Sequence, residues 1–248
     1  MRNFDPKTSF GADAASRYDD TLRGDEPETV ACLNELARGG PVLELAIGTG
    51  RIGLPLAATG LRVDGIEQSD AMLARLRAKP GGAEIAVTMG DMADVSVLGN
   101  YRLIYLVYNT LLNLLTQDDQ VRCFENVASH LTDDGLFLVE AATPDSMYAL
   151  REDQYVDAEV VATDAVTLDV GRYDRATQVL DECHMTMSAD GIRFGPIVTR
   201  YVWPSEMDLM ARIAGLRLHS RWAGWQHEPF DSRSVRHVSV YGRSPPSP

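Results

Sequence analysis

Three acids at the ends of apolar runs carry most of the chemistry this sequence announces. Glu44 sits inside Val42-Leu43-Glu44-Leu45-Ala46-Ile47, which passes directly into Gly48-Thr49-Gly50-Arg51. Glu67 closes Leu61-Arg62-Val63-Asp64-Gly65-Ile66, and Asp91 follows a short run from Glu84 to Thr88 in Thr88-Met89-Gly90-Asp91-Met92. Glycine has no Cβ to block a ligand or forbid positive φ, so the turn after the first strand brings bare backbone close to a bound group. The N–H groups opening the next helix point at the same place. An acid at the tip of the second strand, about 20 residues past such a turn, is placed to hold ribose hydroxyls. The spacing predicts a nucleoside-bearing cofactor.

Gly48, Gly50 and Gly53 also satisfy G-x-G-x-x-G, which would spell a dinucleotide site and an NAD-dependent oxidoreductase. Three features oppose it. Glu44 lies just before the turn, where a pyrophosphate gains nothing from a negative charge. It can instead orient the glycine loop and, through water, the ammonium of an amino-acid moiety. Asp91 supplies a third acid, able to accept from the exocyclic amine of adenine. Lys7 and Lys79 are the only lysines, so no Tyr-xxx-Lys pair can form downstream, and no G-x-x-x-x-G-K-[ST] phosphate loop occurs.

Taken in order, Glu44-Leu45-Ala46-Ile47-Gly48-Thr49-Gly50, Gly65-Ile66-Glu67-Gln68-Ser69-Asp70-Ala71-Met72-Leu73 and Gly90-Asp91-Met92 resemble the class I S-adenosylmethionine-dependent methyltransferases, in particular their small-molecule branch. The resemblance covers about residues 12 to 142 and resumes from 203 to 243. It implies S-adenosylmethionine as cofactor. The backbone of Ala46, Gly48 and Gly50 would cradle its methionine part, and Glu67, with Gln68 beside it, would take the ribose. Asp91 and the Met92 backbone would take the adenine. The family usually has glycine where this chain has Ala46, so a slightly displaced loop is expected there. Ser16-Arg17-Tyr18-Asp19-Asp20 resembles the Tyr-Asp element of an N-terminal lid helix, whose tyrosine closes over the cofactor. Phe10 could join it, and an ordinary surface tyrosine is the alternative.

A sulfonium methyl is already activated, so such an enzyme mainly has to align an acceptor lone pair with the carbon–sulfur bond. A base is needed only for a nucleophile that arrives protonated. No triad and no clustered metal ligands are found, so no metal is expected. Tyr108 and Asn109 follow the fourth apolar run, where the resemblance places the methyl group; a core aromatic and a turn cap are the plain alternatives. His184 and His227 could reach an acceptor pocket as bases. His130 falls at a helix end, while His219 and His237 belong to terminal strands.

Elements that would position these groups alternate along the chain. Gly39-Gly40 end a first helix containing Val30 and Leu33. Strand one is followed by helix 52–59, strand 61–66, a helix from Ala71 to Ala78 capped by Ser69 or Asp70, and a third strand. Leu103 to Tyr108 is continuously apolar, as in a parallel strand covered on both faces. Helix 117–131 and strand Leu136 to Ala141 complete a doubly wound α/β pattern. From 143 to 202 the texture becomes β-rich, with turns at Tyr173-Asp174-Arg175 and Ala189-Asp190-Gly191, which predicts antiparallel hairpins. Pro204 and Ser205-xx-Asp208 open another helix, and strands 216–222 and 235–242 close the chain. With the resemblance, the expected fold is a Rossmann-like, seven-stranded sheet whose last strand is antiparallel. Its core comprises 1–142 and 203–248, with lid helices in 1–40. The 143–202 insertion is expected over the carboxyl ends of the strands, either as a lid shaping the acceptor pocket or as a surface for a homodimer.

Composition sets outer bounds. The chain has 248 residues, 45% apolar, enough for one substantial α/β core. A net charge of −13 without basic clusters opposes a nucleic-acid partner. Cys32, Cys123 and Cys183 are scattered and read as reduced thiols of a cytoplasmic protein. No signal-peptide core or membrane-length run is present. The β-rich insertion, the Tyr-Asp lid and the acidic surface resemble the amino-sugar and natural-product N-methyltransferases, which implies methyl transfer from S-adenosylmethionine to a nitrogen of a small-molecule acceptor. The alternatives are an O-methyltransferase acting on a hydroxyl or carboxylate, and a non-catalytic S-adenosylmethionine-binding protein.

Overall fold

The structure, a computed structural model, describes residues 4–20, 23–94, 97–144 and 153–243. The stretch 145–152 of the β-rich insertion lies outside the described residues. Eleven described strands are β1 (Val42–Leu45), β2 (Val63–Glu67), β3 (Ala86–Met89), β4 (Tyr101–Leu106), β5 (Leu131–Ala142), β6 (Gln154–Val161), β7 (Ala165–Asp174), β8 (Val179–Ser188), β9 (Gly191–Arg200), β10 (Leu216–Trp222) and β11 (Arg236–Arg243). The longer helices are α1 (Ala12–Arg17), α2 (Glu26–Ala37), α3 (Gly53–Ala57), α4 (Asp70–Arg77), α5 (Gln117–His130) and α6 (Pro204–Ile213).

Seven strands form one sheet in the order β10-β11-β5-β4-β1-β2-β3, and the last, β11, runs antiparallel to both its neighbours. Every residue of β1, β2 and β4 is buried, because helices cover both faces of these parallel strands. Alternation along a strand divides the core in two. Leu43, Leu45, Ile104 and Leu106 pack with Phe124 of α5 and Met207 of α6 on one face. Val42, Leu103 and Tyr105 pack with Leu33 of α2 and Leu56 just inside α3 on the other. Strand order reverses between β1 and β4, so the open end of the sheet lies beside the glycine turn, where ligands bind in such folds.

Two local expectations differ from what is seen. β5 begins at Leu131 rather than near Leu136, because Leu131 pairs with Tyr101 across an irregularity in the β4–β5 register. The Ser205–Asp208 capping box does not form at α6. Its N-cap is Trp203 with Pro204 in the first turn, while Asp208 accepts from Arg221 (2.6 Å) and the Tyr241 hydroxyl (3.0 Å). Ser69 does cap α4, accepting from the Met72 amide at 3.2 Å.

Strands β6 to β9 form a separate antiparallel sheet. Opposed residues share a face. One face therefore carries Val156, Val170, Cys183, Met185 and Phe194, the other Tyr155, Asp169, Glu182 and His184. Val156, Val160, Ile192 and Phe194 on this sheet are exposed. Among the described residues, no helix is long and apolar enough to cross a membrane.

Candidate active site

The turn after β1 is held open by residues in left-handed backbone. Ala46, Gly48 and Gly50 have φ of 54°, 59° and 78°. Ala46 thus adopts a backbone conformation that favours glycine, and the strain is borne by alanine, at roughly 1–2 kcal/mol. Gly50 has a second requirement: an added Cβ would lie 2.3 Å from Leu76 Cδ1. The Glu67 carboxylate closes the turn from the neighbouring strand, accepting from the Gly48 (2.7 Å), Gln68 (3.0 Å) and Ser69 (2.8 Å) amides. Burial raises its pKa, against the pull of those three donors.

The N-terminal segment is tied to this loop by side chains. Asp19 Oδ1 accepts from the Thr49 hydroxyl at 2.7 Å, and its other oxygen pairs with Lys79 at 2.8 Å. Lys79 also donates to the Thr49 carbonyl at 2.8 Å. Burial alone would raise the Asp19 carboxyl, yet Lys79 and Thr49 together hold it below its ordinary value. The Ser69 hydroxyl donates to the Phe10 carbonyl at 2.7 Å, and Phe10 meets the Tyr18 ring edge-on.

Between these parts lies a cavity of about 310 Å³. Its polar wall includes Glu67, Gln68, Asp91 and the backbone of Ala46 and Gly48, and its apolar wall Ile66, Met72, Met92 and Leu114. Tyr18 and Phe10 cover it from the N-terminal side, with Lys7 and Asp5 beside them, and Val198 of β9 reaches it from the second sheet. Asp91 accepts from the Ala93 amide at 2.8 Å and remains exposed in the cavity wall.

A methyltransferase-domain family matches residues 42–135, which span the glycine turn, both acids and β4. The solved CcbJ methyltransferase from Streptomyces caelestis is 33% identical, superposes with a TM-score of 0.91, and the match covers 98% of this chain and 100% of that one. The chain is a class I S-adenosylmethionine-dependent methyltransferase. The cypemycin N-terminal methyltransferase of a Streptomyces species is 24% identical over 205 residues, 83% of this methyltransferase and 84% of that protein. CalS10 of Micromonospora echinaspora, a SAM-bound amino pentose methyltransferase, shares the fold at 22% identity, with a TM-score of 0.69 over 94% of this chain and 96% of that one.

Within the methyltransferase, the sequence-predicted residues fall into two groups. Tyr18, Ala46, Gly48, Glu67, Gln68, Asp91 and Met92 come together around the cavity. Six others lie outside its wall. Gly50 packs inward against Leu54 and Leu76. Glu44 is buried on the α3 face of β1, where an added Cβ on Gly53 would lie 2.7 Å from its carboxylate. Burial raises it to about 8, opposed by the Tyr105 hydroxyl and Arg51. Glu44 therefore supports the loop from beneath and does not reach the cavity.

Tyr108 and Asn109 form a left-handed pair at the end of β4, with φ of 54° and 61°. Tyr108 is neither in the core nor in the cavity wall. Its ring is half exposed against Arg23, and its amide donates to Glu140 Oε2 at 2.7 Å. Asn109 Oδ1 accepts from the Ala142 amide at 2.7 Å, so it joins the ends of β4 and β5. His184 lies away from the cavity because of strand parity. Asp181 opposes Val198, so odd-numbered β8 residues share the face that reaches the cavity, and His184 points the other way toward Glu159, at 3.0 Å. His227 stacks on Trp222 with centroids 4.0 Å apart, and its Nε2 is 3.7 Å from Cys32 Sγ.

Several site residues escaped the sequence reading. Lys7 and Lys79 entered only as scarce lysines, Arg51 only as the end of the glycine turn, and Arg23 and Glu26 gave no motif. Glu140 did leave a signal, as the one charge inside the apolar run Leu136 to Ala141. Buried to 6% exposure, its carboxyl is pushed up to about 7 by burial and by Asp25, while Arg236 and Arg51 pull it down.

Proposed function

We propose that this methyltransferase transfers the methyl group to a nitrogen of a small molecule admitted between the N-terminal segment and the second sheet. When bound, S-adenosylmethionine supplies a methyl carbon activated by its sulfonium. The donor set suits that cofactor. Glu67 stands at the tip of β2 to hold ribose hydroxyls, and Asp91 with the Met92 backbone stands at the tip of β3 to hold the adenine edge. Ile66, Met72, Met92 and Leu114 supply an apolar slot for the purine. Left-handed Ala46 and Gly48 leave backbone bare for the methionine part, with Gly50 fixing the turn and Glu44 bracing it from below. Tyr18 offers a ring face to a sulfonium, worth about 0.5–2 kcal/mol.

The observation carrying nitrogen is the makeup of the wall. Among the described residues lining the cavity there is no histidine or cysteine, and its titratable side chains are those of Asp5, Lys7, Tyr18, Glu67, Asp91 and Asp119. A neutral amine or a carboxylate needs no imidazole or thiolate to present its lone pair, whereas a hydroxyl does, so the wall speaks against a hydroxyl acceptor. The relatives named for N-terminal and amino-sugar methylation agree with this reading. Tyr108 and Asn109, at the end of β4, would border the acceptor side. The 1–40 segment would act as a lid, and the β-rich insertion within 143–202 would shape the acceptor pocket through Val198. The exposed apolar face of β6 to β9 would suit a homodimer contact, and the free cysteines suit a reducing, cytoplasmic setting.

Labelled-methyl transfer to matched panels of amines, alcohols and carboxylic acids tests this. Label recovered in base-stable amine products is the expected result. Label recovered as esters or ethers would replace nitrogen by oxygen, and S-adenosylhomocysteine binding without transfer to any panel would point to a different acceptor class.

A further inference from the structure

Strand pairing gathers on the second sheet a set of donors whose sequence spacing gives no sign of it. Asp157, Asp169 and His184 lie in one row across β6, β7 and β8, and the row ends at Gly195, which sets no side chain beside the imidazole. Glu159 falls in the irregularity between Ala158 and Val160, the kind of bulge that re-aims a side chain. Glu159, Asp169 and His184 each bring one ligand-type atom to within 4.8 Å of the other two. Donors about 2.1 Å from a shared ion stand roughly 3.5 Å apart, so a contraction of about 1 Å brings all three onto one.

The surroundings leave negative charge uncompensated. Tyr155 reaches Asp169 Oδ2 (3.1 Å) and Glu182 Oε1 (2.6 Å), so one phenolic proton serves two carboxylates. Asp169 Oδ1 is wholly buried and has no hydrogen-bond partner. Among the described residues, Glu159 with His184 at 3.0 Å is the one ion pair made by Asp157, Glu159, Asp169 or Glu182. Four acids thus share one imidazole. Burial raises the Asp169 carboxyl, and the charges of Glu159 and Asp157 add to it against His184 and Tyr155. A buried carboxylate oxygen without a partner costs free energy that a bound cation recovers. The His184 and Glu159 side chains are 44% and 38% exposed, so an ion has a path from solvent.

We propose that Glu159, Asp169 and His184 form a binding site for a divalent transition-metal ion of the zinc class, with Tyr155 holding the Asp169 carboxylate in place. One imidazole nitrogen with carboxylate oxygens suits zinc, whereas calcium and magnesium take oxygen alone. Bound there, the ion would tie three neighbouring strands together on the face turned away from the cofactor cavity. The site is separate from methyl transfer and does not depend on that reading.

Calorimetric titration of the full chain, untagged and stripped with chelator, with zinc and separately with calcium, tests this. Wild type should take up one zinc ion per chain, and His184→Ala, Glu159→Gln and Asp169→Asn should each weaken binding at least about tenfold. Cys183→Ser should keep the wild-type affinity, since Cys183 lies on the other face of β8. Zinc should also raise the thermal unfolding midpoint of wild type and leave that of His184→Ala unmoved, as expected for an ion that binds only the fold. No zinc uptake by wild type overturns the site. Wild-type affinity in His184→Ala, or calcium bound as tightly as zinc, overturns it too, since either marks a diffuse acidic patch. So does loss of zinc in Cys183→Ser. If Asp169→Asn does not fold, His184→Ala and Glu159→Gln, whose side chains reach solvent, decide the question.

Discussion

The two halves of the site are built by different means. On the β1–β3 side, backbone does the holding: Glu67 receives three amides, two of them from its own next residues, and left-handed Ala46, Gly48 and Gly50 shape the turn. On the β4–β5 side, side chains remote in sequence do it. Tyr108 leans on Glu140, Asn109 reaches Ala142, and Arg23 covers Tyr108. Backbone chemistry is available to any sequence that can make the turn, so the first half suits an invariant ligand such as a cofactor. Side-chain chemistry can be exchanged residue by residue, so the second half suits a ligand that differs between relatives.

The largest effect is expected at Glu67. Glu67→Ala leaves three part-buried amides without their acceptor, about 0.5–1.5 kcal/mol for each hydrogen bond, and removes the proposed ribose acceptor. S-adenosylhomocysteine affinity should fall at least tenfold and urea-unfolding stability by more than 2 kcal/mol. Full retention of both would dissolve the distinction between the halves.

A pH effect follows at Glu140. Its folded pKa of about 7 is above that of an unfolded glutamate, so the fold favours the protonated form. That stabilisation is complete below about pH 4, and is lost as pH rises through 7. Urea-unfolding free energy measured from pH 5 to 8 should therefore decline, and Glu140→Gln, which keeps an acceptor for Tyr108, should flatten the decline. Glu44, raised to about 8, adds a slope of the same sign that persists in the variant. An unchanged slope would show that Glu140 is ordinarily ionised.

Ala46→Gly should be gentler, raising stability by about 0.5–1 kcal/mol as the left-handed strain disappears, partly offset by glycine's greater freedom when unfolded. Cofactor affinity should stay within twofold, since Ala46 already has a left-handed φ of 54° that glycine adopts freely. A loss of stability would mean the alanine side chain contributes packing. Smallest of all is His184→Ala, expected to leave S-adenosylhomocysteine affinity and turnover unchanged, because its face of β8 is turned from the cavity. A drop in turnover would bring the second sheet's polar face into the chemistry.

Legibility in the sequence followed the same division. The three acids, the glycine turn and the alternation of strands and helices are local patterns, and the acids at 67 and 91 line one cavity as that spacing implied. Hairpins of the second sheet were readable from their turns. Which of its faces meets the cavity was not, because that depends on pairing Asp181 with Val198, so His184 could be named only as a residue able to reach an acceptor pocket. Lys79 binding Asp19, or Glu140 binding Tyr108, joins residues more than thirty positions apart with no repeating pattern to mark them. Ala46 illustrates a third case. Its departure from glycine was visible, but only the backbone reveals that alanine takes a left-handed angle there.

The most direct test is a crystal structure of the enzyme with S-adenosylhomocysteine. Ribose hydroxyls within hydrogen-bonding distance of Glu67 and the adenine amine on Asp91 are the expected arrangement, with the sulfur facing the Tyr18 side of the cavity. An adenosine bound elsewhere, or seated there without touching either carboxylate, would contradict it.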